Sequence, residues 1–305
     1  MQWFRRPVLA IAERDAVERY ARSSAMTRKL VDRFVAGEAL AEALPKVIEL
    51  SRLGITATLD QLGENVSSVE EATTAVASFT SSLKALYEHG LEPNISIKLT
   101  MLGLDLGDEI ALANTFAILD VARAVNGFVR IDMEGSAYTE RTLAIFETAH
   151  DRYPDEVGIV IQTYLFRARA DVELMIERKA RVRLVKGAYS EPADIAYANT
   201  ADTDDNYARL TRLLLEHGRY PAIATHDPKL IENARTFAER NGISADRFEF
   251  QMLYGVRRDA QTHLAASYRM RVYVPFGTEW YPYFTRRIAE RPANALFVVR
   301  QLFGG

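Results

Sequence analysis

The fold is decided by a pattern that is complete within residues 128–163, FVRIDMEGSAYTERTLAIFETAHDRYPDEVGIVIQT. A short run rich in β-branched and aromatic residues opens this stretch, a longer helix-prone segment follows, and a second short run closes it. Short strands that alternate with longer helices are typical of βαβ units, whose strands lie parallel in one sheet. The stretch therefore predicts one repeat of a parallel α/β fold.

The same alternation continues along the chain from Gly54 to the end. Eight strand-like runs occur, each followed by a helical stretch: GITATLD (54–60), NISIKLT (94–100), FVRIDME (128–134), VGIVIQT (157–163), RVRLVKG (181–187), PAIATH (221–226), FEFQML (248–253) and MRVYVPF (270–276). A (β/α)₈ barrel has eight such repeats, whereas a doubly wound sheet usually has five or six strands. The sequence therefore predicts an α/β protein with a TIM barrel over residues 51–305, and the doubly wound sheet is the alternative.

The first 50 residues differ from the rest of the chain, because they are charged, helix-prone and without a strand-like run. We predict an N-terminal helical arm over residues 1–50, followed by the barrel. The helix after the first strand is predicted to begin near Ser67 and Glu70, whose spacing is that of a capping box.

The composition excludes several classes of protein. The chain of 305 residues carries a net charge of −3, so it has no basic field that would hold nucleic acid. It contains no cysteine, which excludes disulfides, thiolate nucleophiles and cysteine-ligated metals. There is no signal sequence and no apolar run of membrane-spanning length, the longest candidate being VGIVIQTYLF at 157–166. We therefore expect a cytoplasmic protein that does not cross a membrane.

Common catalytic motifs are absent as well. No GxGxxG follows a strand and no GxxxxGK[ST] occurs, so a dinucleotide would have to bind in another way. No HExxH, HxH or carboxylate-rich cluster has the spacing of metal ligands, and there is no GxSxG elbow. Neither a metal site nor a hydrolytic triad is predicted.

Polar side chains gather at the carboxyl ends of the predicted strands, where barrel enzymes place their catalytic groups. Any one of them could simply be solvated at the barrel mouth. Lys98 and Arg183 are harder to explain in this way, because each lies within an apolar strand pattern where an unpaired buried charge costs several kcal/mol. Each needs an anionic partner, either Asp132 or a bound anion or electron-rich cofactor. The polar set comprises Asp60, Glu64, Lys98, Asp132, Glu134, Gln162, Arg183, Lys186, Thr225, His226, Gln251 and Tyr273.

The last predicted helix, within TEWYPYFTRRIAERPAN at 278–294, carries two adjacent arginines. Tyr283, Arg286, Arg287 and Glu290 have the spacing i, i+3, i+4 and i+7, which places them on one face. The other side is apolar, with Tyr281, Phe284 and Ile288. If the apolar side packs against the barrel, the two guanidinium groups reach over the mouth and suit a carboxylate or phosphate. The alternative is a solvated basic face.

Five segments together resemble the flavin-dependent proline dehydrogenases, in particular the short bacterial monofunctional type. They occur in the family's order and spacing: RVRLVKGAY (181–189), IATH (223–226), FEFQMLYG (248–255), RVYVPFG (271–277) and RRIAERPAN (286–294). The resemblance implies a distorted (β/α)₈ barrel that binds FAD without a Rossmann domain and oxidises L-proline to Δ1-pyrroline-5-carboxylate, the first step of proline catabolism to glutamate. It also implies a quinone electron acceptor, peripheral contact with the inner face of the cell membrane, and a separate downstream pyrroline-5-carboxylate dehydrogenase.

The resemblance also assigns roles to individual residues. Arg286 and Arg287 match the paired arginines that hold the substrate carboxylate, together with Lys98. Glu64 matches a gate residue that pairs with the first of these arginines and closes the site. The remaining substrate contacts, which pack against the pyrrolidine ring or complete its wall, correspond to Tyr189, Leu253, Tyr273, Tyr283 and Glu290.

On the cofactor side, Arg183 and Gln162 match residues near the flavin N5 atom and pyrimidine edge, where a cation stabilises the negative charge that hydride arrival creates. Asp132 matches a carboxylate near Lys98 and the flavin, with the expected role of holding Lys98. The segment under the ribityl and phosphate groups and the part that contacts the AMP half correspond to Lys186, Gly187, Ala188, Thr225 and His226.

Two other readings of the residues stay open. Lys98 and Lys186 near strand ends also suit a Schiff-base aldolase, in which a desolvated lysine is the nucleophile. A barrel without catalytic activity could bind a small anion through the arginine pair. A flavoprotein would be yellow and would bleach with proline, whereas an aldolase would be colourless and trapped by borohydride with its carbonyl substrate.

Overall fold

The computed structural model describes residues 31–289, with side chains as far as Thr285. Eight parallel strands form a closed barrel in sequence order, and β1 pairs with β8 to complete it. This confirms the predicted (β/α)₈ architecture. The strands are β1 (Thr56–Gln61), β2 (Asn94–Ile97), β3 (Phe128–Ile131), β4 (Val157–Gln162), β5 (Arg181–Val185), β6 (Ala222–Ala224), β7 (Glu249–Leu253) and β8 (Arg269–Phe276).

Each strand is followed by a helix, as the sequence predicts. An additional helix, α1 (Leu40–Arg52), precedes the barrel and contacts β1 and β8. It lies in the segment expected to form the N-terminal arm, of which residues 1–30 are outside the described part of the chain. The other helices are α2 (Val69–Glu88), α3 (Asp108–Ala124), α4 (Ser136–Arg152), α5 (Ala168–Glu177), α6 (Thr200–His217), α7 (Pro228–Arg240), α8 (Arg258–Ala265) and α9 (Trp280–Ala289), with 3₁₀ turns at Leu99–Leu102 and Ala245–Arg247.

The two faces of the strands differ in chemistry. Outward residues such as Ile95, Val129 and Ile159 are completely buried beneath the helices. Successive side chains of a strand point to opposite faces, so the intervening residues point into the barrel. There, Arg183 of β5 contacts Asp132 after β3, a contact between non-neighbouring strands that runs through the barrel interior. The helical shell is thus held by apolar burial, about 1.5–3 kcal/mol for each large side chain, while the interior is largely polar.

The beginning of α2 lies one residue later than the predicted capping box. Ser68 is the N-cap, and its hydroxyl accepts a hydrogen bond from the backbone N–H of Glu71 at 3.2 Å. The Glu71 carboxylate in turn accepts from the backbone N–H of Ser67 at 2.7 Å. Ser67–Glu70 and Ser68–Glu71 have the same spacing, so the spacing alone does not distinguish the two pairs.

The segment before α1 packs against the segment after β8. Val31, Phe34 and Val35 form a buried apolar cluster with the start of α9. The backbone N–H of Ala36 donates to the carbonyl of Pro275 at 2.8 Å. Tyr283 is buried in this same cluster, so the first turn of α9 does not divide into the polar and apolar sides that the sequence predicts. No helix in residues 31–289 is long and apolar enough to cross a membrane.

Candidate active site

A cavity of about 1220 Å³ opens at the carboxyl ends of the strands. Every predicted site residue whose side chain is described borders it, from Glu64 on one side to His226 on the other. Backbone geometry alone brings them together, because the ends of parallel barrel strands meet at one rim. The bordering site residues are Glu64, Lys98, Asp132, Gln162, Arg183, Lys186, Gly187, Ala188, Tyr189, Thr225, His226, Leu253, Tyr273 and Tyr283.

Three predicted residues cannot be placed in the site in this way. Arg286 and Arg287 lie on α9, but their side chains are outside the described part of the structure. Glu290 lies wholly outside the described residues. Their roles in binding the substrate remain predictions.

Lys98 is held by Asp60 and not by Asp132, which corrects the prediction. The Lys98 ammonium donates to Asp60 Oδ1 at 3.1 Å, and Asp60 is only 1% exposed. Desolvation lowers the pKa of Lys98, but the charges of Asp60, Asp132 and Glu64 outweigh it and raise this pKa above its ordinary value. Lys98 is therefore a persistent cation, which makes it a poor Schiff-base nucleophile at neutral pH.

The burial of Asp60 opposes its ionisation. Desolvation is the largest influence on its carboxyl group and raises the pKa, while the Lys98 charge lowers it. The net direction is upward. The pair is thus stabilised by mutual attraction in a place where either ion alone would be costly.

Asp132 joins two other residues of the site. Arg183 Nη1 donates to Asp132 Oδ1 at 2.8 Å and to Ser96 Oγ at 3.0 Å. The Tyr273 hydroxyl donates to Asp132 Oδ2 at 2.7 Å. Burial, followed by the Asp132 charge, raises the pKa of Tyr273 well above its ordinary value, so the phenol stays protonated. The sequence left the anionic partner of Arg183 open between Asp132 and a bound anion or cofactor, and Asp132 is one such partner.

Arg183 retains binding capacity in this arrangement. It is 4% exposed, and its Nε atom is buried without a hydrogen-bond partner among the described residues. The side chain also borders the cavity. A buried guanidinium with an unsatisfied donor at the edge of a cavity favours an acceptor or a negative charge there.

Gln162 and the loop after β2 are connected through Glu134, which belongs to the polar set at the strand ends but has no role assigned by the resemblance. Gln162 Nε2 donates to the backbone carbonyl of Glu134 at 3.0 Å. The Glu134 carboxylate accepts from the hydroxyl of Thr100 at 2.6 Å and from its N–H at 3.2 Å. These bonds fix the turn that follows Lys98. The signal in the sequence was the place of Glu134 just after a strand end, which identified its location but not its partner.

The opposite wall of the cavity is formed by the loops after β5 and β6. The Lys186 ammonium contacts Asp204, and it donates to Asp227 at 3.2 Å. His226 Nε2 accepts from the backbone N–H of Leu253 at 2.9 Å. Leu253, which is predicted to contact the pyrrolidine ring, is thereby linked to the loop after β6. Neither acidic partner of Lys186 was predicted from the sequence, because Asp204 belongs to the following helix and Asp227 to the loop after β6.

Gly187 allows the backbone to approach this wall closely. Its φ angle is +123°, and a Cβ atom there would lie 2.4 Å from the Tyr164 ring. Both the backbone conformation and the space require glycine.

The site has room and positive charge for a large, partly anionic cofactor together with a small substrate. The cavity of about 1220 Å³ exceeds the roughly 300–1,000 Å³ of a pocket for one small molecule. Arg183 supplies a buried cation with a spare donor, and Gly187 leaves room for close contact with the backbone. Within the described residues, no group of three or more possible ligands could hold a metal ion.

The comparisons with known proteins indicate a single family. A model of the proline dehydrogenase family matches residues 43–300. The chain is 42% identical over its whole length to the proline dehydrogenase of Deinococcus radiodurans, 99% of which is covered. It is 45% identical over 275 residues to proline dehydrogenase 1 of Bacillus subtilis strain 168, covering 90% of this chain and 91% of that relative.

A solved structure is similar as well. Proline utilization A (PutA) from Bdellovibrio bacteriovorus, inactivated by N-propargylglycine, superposes with a TM-score of 0.82 at 26% sequence identity. The match covers 98% of this chain and 37% of that one, so this chain spans just over a third of the longer protein.

Proposed function

Because the chain belongs to the proline dehydrogenase family, we propose that it oxidises L-proline to Δ1-pyrroline-5-carboxylate with FAD as its resident cofactor. The observation that carries this proposal is the buried group formed by Arg183, Asp132 and Tyr273 beside Lys98, at the edge of a cavity large enough for both molecules. The Schiff-base aldolase is disfavoured, since the carboxylates around Lys98 keep it charged.

Residues of two kinds would hold the substrate. Lys98, together with Arg286 and Arg287, would bind the carboxylate, because planar guanidinium groups and an ammonium suit that anion. Glu64 borders the cavity close enough for its charge to raise the pKa of Lys98, which supports the proposed gate position. The pyrrolidine ring would pack against Tyr189, Leu253, Tyr273, Tyr283 and Glu290.

The cofactor would lie along the wall formed by β4, β5 and β6. When bound, the flavin supplies at N5 an acceptor for the hydride that leaves proline C5. Arg183 would keep a positive charge beside the electron-accepting ring, and Asp132 would fix the direction of that guanidinium. The other residues proposed to hold FAD are Gln162, Lys186, Gly187, Ala188, Thr225 and His226.

The chain's own residues would mainly position the substrate and exclude water. As the hydride leaves C5, the lone pair of the neutral amine forms the C=N bond, and the iminium then releases its N–H proton to solvent. Asp60 pairs with Lys98, so the substrate carboxylate would enter a site in which this cation is already oriented. We also infer transfer of the electrons to quinone with peripheral membrane contact, and use of the product by a separate dehydrogenase, on the family likeness alone.

An absorption spectrum of the purified protein, recorded without oxygen before and after L-proline is added, tests the proposal. We expect the absorption of oxidised flavin, which bleaches with L-proline and persists with an equal concentration of acetate. A protein that binds no flavin after incubation with FAD, or whose flavin is not reduced by proline, would contradict it.

A further inference from the structure

The loop between β5 and α6, residues 186–199, carries Tyr189 at the edge of the cavity. Most of this loop has no regular secondary structure, so contacts with other loops must hold it. Its far part is attached to the β4–α5 loop, since the N–H of Phe166 donates to Ile195 O at 3.0 Å and that of Tyr197 to Tyr164 O at 2.8 Å. The part around Tyr189 is held differently, by side chains.

Glu191 anchors this part of the loop to the start of α4. Its Oε1 atom accepts from the backbone N–H of Ser136 at 2.8 Å, and its Oε2 atom accepts from the Ser136 hydroxyl. The N-cap residue of α4 is Gly135, which has no side chain that could cap the helix. A carboxylate 55 residues away therefore performs the capping, in the place where a negative charge is favoured.

Tyr164 connects the anchor to the substrate-facing residue. Its hydroxyl donates to Glu191 Oε1 at 3.4 Å, and the backbone N–H of Tyr189 interacts with the same hydroxyl and acts to lower its pKa. Its ring lies directly against Gly187, where no Cβ atom would fit. Burial, and then the Glu191 charge, raise the pKa of Tyr164 above its ordinary value, so the hydroxyl keeps the proton that it donates.

From these contacts we propose that Glu191 and Tyr164 are positioning residues, which hold Tyr189 over the cavity and thereby favour a five-membered ring carboxylate over an open-chain one. The inference rests on the proposed function, in which Tyr189 packs against the pyrrolidine ring. An apolar contact weakens steeply when a gap of even 1 Å opens. The carboxylate is bound elsewhere, at Lys98, so displacement of Tyr189 affects recognition of the ring alone.

The test compares competitive inhibition of the FAD-loaded enzyme by cyclopentanecarboxylate and by acetate, which share the anion but not the ring. Tyr164→Phe and Glu191→Ala should raise the inhibition constant of cyclopentanecarboxylate about tenfold, or about 1.4 kcal/mol, and that of acetate less than twofold. Glu191→Gln should restore wild-type inhibition, because an amide oxygen still accepts from Ser136 and Tyr164. Asp194→Ala is the control, since this carboxylate is exposed on the same loop.

Hydrogen exchange supplies a readout that is independent of activity. The Tyr189 amide should exchange faster in Tyr164→Phe and Glu191→Ala than in the wild type, and unchanged exchange would overturn the proposal. An equal loss of affinity for cyclopentanecarboxylate and for acetate would also overturn the proposal, because it would indicate that the whole site is disturbed and not the ring contact alone.

Tyr189→Ala separates failure of this inference from failure of the proposed function. If its flavin is still reduced by proline but cyclopentanecarboxylate binds as in the wild type, the inference fails and the function stands. If proline reduces the flavin of neither the wild type nor the variant, the function itself fails.

Discussion

The polar interior of the barrel has two halves that use the same residue types for different purposes. Toward the amino ends of the strands, which we call the floor, Arg271 Nε donates to Glu249 at 3.0 Å, and its other nitrogens donate to Ala57 O and Glu92. Toward the carboxyl ends, the mouth, Arg183 has Asp132 as its carboxylate partner and keeps a donor unsatisfied. Neither Arg271 nor Glu249 borders the cavity, whereas Arg183 does.

The difference shows that a buried charge does not by itself indicate a functional site. In the floor, protein groups accept hydrogen bonds from all three side-chain nitrogens of Arg271. Arg130 donates to the backbone carbonyls of Ile159 and Arg181, and although its buried Nε has no partner among the described residues, it does not border the cavity. In the mouth, Lys98 and Arg183 border the cavity, and Arg183 has a donor that a ligand could satisfy. What distinguishes the two halves is unsatisfied donors at a cavity wall, and not charge density.

The largest expected effect tests the floor. Glu249→Gln removes the fully buried carboxylate that pairs with Arg271 and leaves the half-exposed Glu92 as its counter-charge, and breaking such a buried pair costs about 3–5 kcal/mol. We expect a loss of this order in the free energy of unfolding, measured with urea at pH 7. The rate at which proline reduces the flavin of the remaining folded protein should stay within about threefold.

The stability difference between this variant and the wild type should depend on pH in a definite direction. Burial raises the pKa of Glu249, but the charge of Arg271 and its hydrogen bond outweigh this effect, so the pKa lies below its ordinary value of 4.5. The stabilisation by the carboxylate is therefore complete above about pH 4.5 and is lost as the pH falls through the lower, folded-state pKa. The difference in unfolding free energy between wild type and Glu249→Gln should shrink as the pH is lowered below this value, and a constant difference would contradict this account.

The next effect tests the mouth. Arg183→Met removes the cation proposed to stabilise charge on the cofactor, and loss of one such electrostatic contact typically costs about 10²–10³ in rate. We expect a decrease of that size in single-turnover reduction by proline, measured by stopped-flow absorbance. If Glu249→Gln lowers the rate as much as Arg183→Met, the distinction between floor and mouth is wrong.

The smallest effect on ligand binding concerns Lys98, although Asp60→Asn also breaks a buried pair and should lower the free energy of unfolding. Asp60→Asn removes the carboxylate nearest to Lys98, so the pKa of Lys98 should fall toward the ordinary value of 10.5. Inhibition by cyclopentanecarboxylate, which has no amine to titrate, should then weaken toward about pH 11 in the variant, whereas the Lys98 ammonium of the wild type stays charged up to that pH. Inhibition constants measured between pH 8 and pH 11 (about the range over which a lysine titrates) test this. If the inhibition constants of the variant and the wild type change with pH in the same way, Asp60 does not have the proposed role.

The sequence predicted the strands well because their outward residues must be apolar to pack beneath helices. Inward positions then stand out as polar interruptions, and this identified Lys98, Asp132 and Arg183. Their pairing was less predictable. Lys98 meets Asp60 because β1 and β2 pair with Asp60 opposite Ser96, a register set by barrel closure and not by local sequence.

The anchoring residues could not be predicted for a similar reason. Glu191 lies in a polar loop without periodicity, and its partners Ser136 and Tyr164 come from two other loops. Only the assembled rim brings them together. The exact start of α2 escaped prediction for a local reason, because adjacent serines and adjacent glutamates give two caps of equal quality.

Closure of the barrel between its first and last strands has a consequence for synthesis. Thr56 of β1 donates to the carbonyl of Met270 in β8, a partner 214 residues later in the chain. At roughly 5–20 residues per second, a ribosome needs about 10–40 s to produce that partner. Throughout this interval β1 has one unpaired edge, of the kind that invites pairing with other chains. The nascent protein is therefore most vulnerable to aggregation before its final strand emerges, and help from chaperones would be most effective then.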